Sequence, residues 1–124
     1  MEITACYAAV MAIFFVLLSV RVIKLRNTLK VGFGDGGDKR LKRAVRVHAN
    51  YAEYTPLALL LIAFAEQASG SSWWIHALAV ALLVGRLSHA YGVSQMKENF
   101  TFRVFGMGTT FAVLLAAAIT ILIH

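Results

Sequence analysis

The sequence predicts an all-α integral membrane protein, a four-transmembrane-helix bundle formed by one domain over residues 1–124. Hydrophobic residues make up 60% of the chain and its mean hydropathy is +0.72, whereas soluble domains are about 45–50% apolar. Four long apolar stretches follow one another, and each is close to the roughly 20 residues that cross a bilayer. Basic residues flank these stretches and do not form a soluble face, which argues against nucleic acid as a partner.

The first two spans are predicted over residues 3–23 and 41–65. The first has no charge between Ile3 and Val20. It lacks a positive segment before it and a small-residue cleavage site after it, so we interpret it as a mature helix and not as a signal peptide. The connection over residues 27–39 is rich in glycine and aspartate, which favour turns. The first half of the second span is unusually polar.

The last two spans are predicted over residues 73–91 and 102–123. Trp73 and Trp74 begin the third span, where an aromatic belt at a membrane surface would place them. Arg103 stands at the start of the fourth span, which is then free of charge to Ile123.

The distribution of positive charge predicts the topology. The connection after the first span and its flanks carry seven basic residues, and the connection after the third span has Lys97 and Arg103, whereas the second connection has neither lysine nor arginine. Because cytoplasmic loops carry the excess of lysine and arginine, we expect the first and third connections in the cytoplasm and both termini on the opposite side. The seven basic residues of the first connection and its flanks are Lys24, Arg26, Lys30, Lys39, Arg40, Lys42 and Arg43.

Charged side chains inside a span are costly, and they indicate a functional site by default. Helical spacing predicts that Arg46, Asn50 and Glu53 share one face of the second span, with Tyr54 beside them and His48 on the opposite side. This face requires a polar partner surface. Arg86 and His89 of the third span and Arg103 of the fourth can provide it.

Such a pocket suits a small, net-negative ligand with carboxylates and an amine, because guanidinium groups bind carboxylates and Glu53 can pair with an ammonium. Structural interpretations stay open for single residues. Arg46 and Glu53 could form a buried structural pair, and Arg103 could be an anchor that extends to the membrane surface. Neither a histidine pair nor a cysteine pair has metal-ligand spacing, so no metal site is expected.

The segment Arg46–Leu57, with Asn50, Glu53, Tyr54 and Pro56 in it, resembles the signature of the MAPEG superfamily, the membrane-associated proteins in eicosanoid and glutathione metabolism. The loop Gly34–Asp38 and the segment Gly85–Gly92 are similar to the bacterial branch of that family. The similarity covers essentially the whole chain, with four spans in matching order.

The resemblance implies a homotrimer in a bacterial inner membrane, with glutathione as the cosubstrate bound at the subunit interfaces and a lipophilic small-molecule substrate entering from the membrane lipid. In the matching positions, Arg46, Asn50, Glu53 and Tyr54 are expected to bind glutathione together with Arg26, and His48 occupies the position of a polar ligand in some members. His89 stands where several members place a tyrosine ligand. Arg103 corresponds to the arginine assigned to activation of the thiol.

The function expected from this resemblance is that of a glutathione-dependent membrane transferase or peroxidase that conjugates or reduces lipophilic electrophiles in detoxification. Two alternatives stay open. One is a non-catalytic lipid- or thiol-binding protein of the same fold, which would bind its ligand without turnover. The other is a small transporter subunit, which would need a carboxylate facing a pathway through the membrane. The first span has no such residue, and Glu53 belongs to the segment that resembles the family signature.

Overall fold

The computed structural model describes all residues, 1–124, as four α-helices without strands. They are α1 (Glu2–Leu29), α2 (Lys39–Ser69), α3 (Trp73–Ser94) and α4 (Phe100–Ile123), so the all-α prediction is confirmed. The helices extend beyond the predicted spans, since polar residues outside the apolar stretches continue a helix until a stop signal ends it. For α1 that signal is Lys30, whose left-handed backbone (φ 55°) follows the last helical residue.

The helices run alternately up and down. Contacts join the start of α1 to the end of α2, and the start of α3 to the end of α4, where the Trp74 indole N–H donates to Thr120 Oγ1 at 3.0 Å. The basic end of the bundle holds the α1–α2 loop (residues 30–38) and the α3–α4 connection (95–99), and the aromatic end holds Trp73 and Trp74. The two middle helices, α2 and α3, contact each other, and both contact α1 and α4.

Three helices, α1, α3 and α4, are long and apolar enough to cross a membrane. Helix α2 is less apolar because its first half is polar. It nevertheless connects the basic end of α1 to the aromatic end of α3, so it must cross the same thickness of membrane as they do. Helix α1 buries only the seam Thr4, Met11 and Leu18 and exposes apolar side chains such as Ile13. A helix that is apolar around nearly its whole circumference requires lipid around it.

The α1–α2 loop ends at the N-cap of α2. Asp38 there accepts hydrogen bonds from the backbone N–H groups of Arg40 and Leu41 at 2.8 and 3.1 Å. The bond from the Leu41 N–H holds the pKa of this partly exposed carboxyl below its ordinary value. Since the folded-state pKa is lowered, the cap stabilises α2 at neutral pH and loses its effect as the pH falls through that lowered value.

At the aromatic end, the buried carboxylate of Glu66 on α2 caps the start of α1. It accepts hydrogen bonds from the backbone N–H groups of Ile3 and Thr4 at 3.0 and 2.9 Å, and from the Thr4 and Ser71 hydroxyls at 2.6 and 2.7 Å. The first N–H groups of a helix have no partner within it, so this one side chain satisfies two of them and holds α1 against α2.

Helices α3 and α4 approach each other closely at Gly85 and Gly106. A Cβ added at Gly106 would lie 2.5 Å from the Gly85 carbonyl oxygen and 2.6 Å from the His89 backbone nitrogen. Small residues let helix backbones pack closely in membranes, where van der Waals contact drives association. This contact fixes the position of α4 and therefore that of Arg103.

We predict that Gly106→Ala lowers the free energy of unfolding by about 1–3 kcal/mol, because the added methyl group overpacks the α3–α4 contact. Gly108→Ala is the matched control, since nothing lies within 4 Å of a Cβ there. Thermal unfolding of the detergent-solubilised variants measures both. Equal stability of the two variants would contradict the close contact.

We also predict that Glu66→Gln destabilises the fold by about 1–3 kcal/mol, because an amide keeps one acceptor oxygen and leaves N–H or hydroxyl partners unpaired. Glu2→Gln, an exposed position at the same end, is the control. Thermal unfolding should separate the two, and an unchanged midpoint for Glu66→Gln would show that the cap contributes nothing.

Candidate functional site

An ion pair lies on the outer face of α2. Arg46 Nη2 donates to Glu53 Oε1 at 3.1 Å, and the two side chains are 50% and 51% exposed. Asn50 is instead buried. Positions seven apart nearly coincide around a helix, whereas position 50 is rotated by roughly 60° from position 53. The predicted stripe is therefore right for Arg46 and Glu53 and wrong for Asn50.

The depth of Glu53 makes its exposure unusual. It precedes the end of α2, Ser69, by 16 positions, or about 24 Å of helix. With the tryptophans at one membrane surface, a hydrocarbon core of about 30 Å includes this position. The same face continues toward the aromatic end with the exposed Leu57, Leu60 and Phe64. A half-exposed carboxylate at that depth requires a covering surface.

Next to this ion pair, a basic pocket of about 330 Å³ opens at the basic end of the bundle. Five cationic side chains and the single carboxylate of Glu98 line it, with Val93 and Met96. Arg103 Nη1 binds Glu98 Oε1 at 2.7 Å, and Arg43 Nη1 lies 3.8 Å from the same oxygen. The excess of positive charge suits an anion. The five cations are Lys39, Lys42, Arg43, Arg46 and Arg103.

Asn50 is buried because its side chain accepts a hydrogen bond from Arg86. The Arg86 side chain is 1% exposed, and no carboxylate pairs with it. Nη1 donates to Asn50 Oδ1 at 2.6 Å, Nε to Thr110 Oγ1 at 3.1 Å and Nη2 to Met107 Sδ at 3.3 Å. Arg86 therefore joins α2, α3 and α4 at one point.

Tyr54 and His89 lie beside this network. The Arg86 guanidinium carbon is 5.7 Å from the centroid of the Tyr54 ring, which also meets Phe111 edge-on. The Tyr54 side chain is half-buried, and its hydroxyl makes no hydrogen bond within the chain. His89 is buried against Gly106. Neither the Tyr54 hydroxyl nor the His89 ring makes a hydrogen bond within the chain, and the less buried Tyr54 is the more accessible of the two to a ligand.

Arg26 and His48 lie away from the ion pair within one chain. His48 Nε2 is 2.9 Å from Ser19 Oγ, and its ring stacks on Phe15 at 4.8 Å, which agrees with its predicted place opposite the stripe. Arg26 Nη1 donates to the Gly34 carbonyl at 2.8 Å and so holds the α1–α2 loop. A single chain therefore does not bring all the expected ligand-binding residues together.

Arg86 has no predicted binding role, although it belongs to the predicted polar pocket. Its position in the middle of α3, well away from either end of an apolar helix, was the signal for a buried role. Glu98 was missed because short connections are usually solvated. Its bond to Arg103 reduces the free positive charge at the basic end.

Comparison with known proteins identifies the family. The profile of the MAPEG family matches residues 4–123. The chain belongs to the MAPEG family. It is also 37% identical, over 113 residues, to "Inner membrane protein YecN" from two strains of Escherichia coli, an alignment that covers 91% of this chain and 85% of those proteins.

Membership of the MAPEG family confirms the resemblance carried by Asn50, Glu53 and Tyr54. The relatives named as inner membrane proteins agree with the lipid-facing surface of α1. This chain is accordingly a membrane protein of four helices, and its candidate site is the α2 face with the basic pocket beside it.

We predict that Arg86→Met lowers the free energy of unfolding by about 2–4 kcal/mol, because it leaves buried Asn50 and Thr110 without their partner. Arg40→Met, at an exposed arginine, is the control and should change stability by under about 1 kcal/mol. Thermal unfolding in detergent compares them. A destabilised control beside an intact Arg86→Met variant would refute the assigned role.

Proposed function

We propose that this protein is a homotrimeric, glutathione-dependent transferase or peroxidase that acts on lipophilic electrophiles dissolved in the membrane. The observation that carries the proposal is the half-exposed Arg46–Glu53 pair, at membrane depth and beside a basic pocket. Membership of the MAPEG family supports it.

Glutathione matches the charges of this site. It has two carboxylates, one ammonium and a thiol, and it is net negative at neutral pH. Arg46 and the neighbouring Arg43 would bind carboxylates, and Glu53 would bind the ammonium once its pair with Arg46 opens. The free Tyr54 hydroxyl would orient the ligand, while Asn50 acts through Arg86.

A second copy of the chain would cover the Arg46–Glu53 face and add what one chain lacks. In this arrangement Arg26 and His48 come from the neighbouring subunit, because they lie on the α1 side of their own chain. The apolar continuation through Leu57 and Leu60 would pack against that neighbour. The excess of basic residues supports a cytoplasmic location for the site, with both termini on the other side of a bacterial inner membrane.

The chemistry uses the thiol of the bound cosubstrate. A thiol of pKa about 8.5 is mostly protonated at neutral pH, and a nearby guanidinium favours the thiolate. Arg103 would supply this charge, with the proton passing to water. The thiolate then attacks an electrophilic carbon, a C–S bond forms, and the leaving group departs with its electron pair.

Glu98 favours a second candidate, a non-catalytic lipid- or thiol-binding protein of the same fold. Its 2.7 Å bond neutralises Arg103, which weakens thiol activation without affecting the Arg46–Glu53 pair. Turnover distinguishes the two functions. An active transferase must release Arg103 from Glu98 when the ligand binds.

We predict saturable binding of glutathione to the detergent-solubilised protein in isothermal titration, weakened about tenfold or more in Glu53→Gln because the ammonium loses its partner. Glu2→Gln removes a carboxylate far from the site and should bind as the wild type does. Loss of binding in both variants, or in neither, would contradict the assignment of Glu53.

We further predict that Arg103→Ala keeps glutathione affinity within about threefold while lowering kcat for a chlorodinitrobenzene probe by about tenfold to a hundredfold. Arg103→Lys should recover part of the rate, because it restores the charge. In Arg103→Ala, the ultraviolet absorbance of the bound thiolate should fall together with kcat. Saturable binding without any turnover in the wild type would favour the non-catalytic alternative.

A further inference from the structure

A second cavity lies between α1 and the basic end of α3. This α1–α3 crevice has a volume of about 490 Å³ and is lined by Leu17, Val20, Arg21, Lys24, Arg40 and Ser94, among others. It shares only Met96 with the basic pocket. The proposed glutathione site does not include this crevice.

The crevice carries positive charge without a carboxylate in its lining. Arg21 Nη1 donates to Ser94 Oγ at 2.8 Å, which holds the guanidinium at the crevice and leaves its other N–H groups free. Lys24 makes no ion pair, and Arg40 has only the partly exposed Asp38 at 3.4 Å. Three cationic groups therefore converge without a buried counter-ion.

The apolar wall of the crevice lies one turn closer to the middle of the membrane. Leu17 and Val20 are 60% and 37% exposed. Together with Arg21 and Lys24 they follow the spacing i, i+3, i+4 and i+7, which places all four on one face of α1. The crevice thus changes from apolar to cationic along the membrane normal, in the same order as an acyl chain and its headgroup.

We propose that the α1–α3 crevice binds the phosphodiester headgroup of an anionic phospholipid from the leaflet at the basic end. Basic pockets between membrane helices suit such headgroups, since lysine and arginine there pair with phosphate. The apolar wall favours a lipid over soluble phosphate, because only a lipid also contacts Leu17 and Val20. The proposal does not depend on glutathione binding.

The test is native mass spectrometry of the full chain, released from micelles that contain equal amounts of phosphatidylglycerol and phosphatidylcholine. The crevice variant is Lys24→Gln/Arg40→Gln, and it leaves the Arg21–Ser94 bond intact. The control, Lys30→Gln/Lys97→Gln, removes the same charge at the same end from residues outside the crevice. Circular dichroism and size-exclusion chromatography establish that all three proteins are folded alike.

We expect the wild type and the control to retain phosphatidylglycerol in preference to phosphatidylcholine. The crevice variant should lose roughly 30-fold in that preference, about fivefold for each cation removed. Equal losses in the two variants would overturn the site, because they would show that diffuse charge attracts the lipid. The absence of any preference in the wild type would overturn it as well.

A competition arm separates a lipid from a soluble anion. Glycerol phosphate and inorganic phosphate at millimolar concentration should leave the retained phosphatidylglycerol unchanged, because neither contacts the apolar wall. Val20→Thr, which keeps the side-chain shape and replaces one methyl group with a hydroxyl, should weaken lipid retention without changing any charge. Displacement by the soluble phosphates would overturn the lipid assignment.

Discussion

The rest of this fold depends on the hydrogen bonds that the buried Arg86 guanidinium donates. It has no carboxylate partner, yet it binds Asn50 of α2 and Thr110 of α4 from its place on α3. A charge in the interior of a membrane helix is tolerated only when other groups satisfy its donors. Because these partners come from two other helices, Arg86 fixes the rotation of α2 about its axis and therefore which side chains of its polar half face outward.

That orientation of α2 leaves an incomplete surface on a single chain. Burial of Asn50 turns Arg46 and Glu53 outward, and both remain half exposed. The Glu53 carboxylate lies at a depth where lipid would not solvate it. An isolated chain therefore leaves a charged surface exposed to lipid, which favours association with another protein surface independently of any family likeness. The proposed second copy would cover the ion pair and would bring Arg26 and His48 to it.

The sequence was sufficient for the four helices, the membrane class and the MAPEG family, because apolar length and a specific segment are local signals. Helical spacing also placed Arg46, Glu53 and His48 correctly. It failed for Asn50, which is rotated by roughly 60° around α2 from Glu53. Whether a rotation of that size buries a side chain depends on its partner, here Arg86. The α1–α3 crevice was likewise invisible, because it joins residues 17–25 to Ser94 across the bundle.

The most direct test of a shared site mixes two inactive variants. Glu53→Gln and Arg26→Gln each disable every site in a homotrimer if one residue comes from each neighbour. Co-expressed in equal amounts, they should restore glutathione binding at about a quarter of the sites, as expected for a head-to-tail ring. Titration of the purified mixed trimers measures this fraction. No restored binding would contradict a site built between subunits.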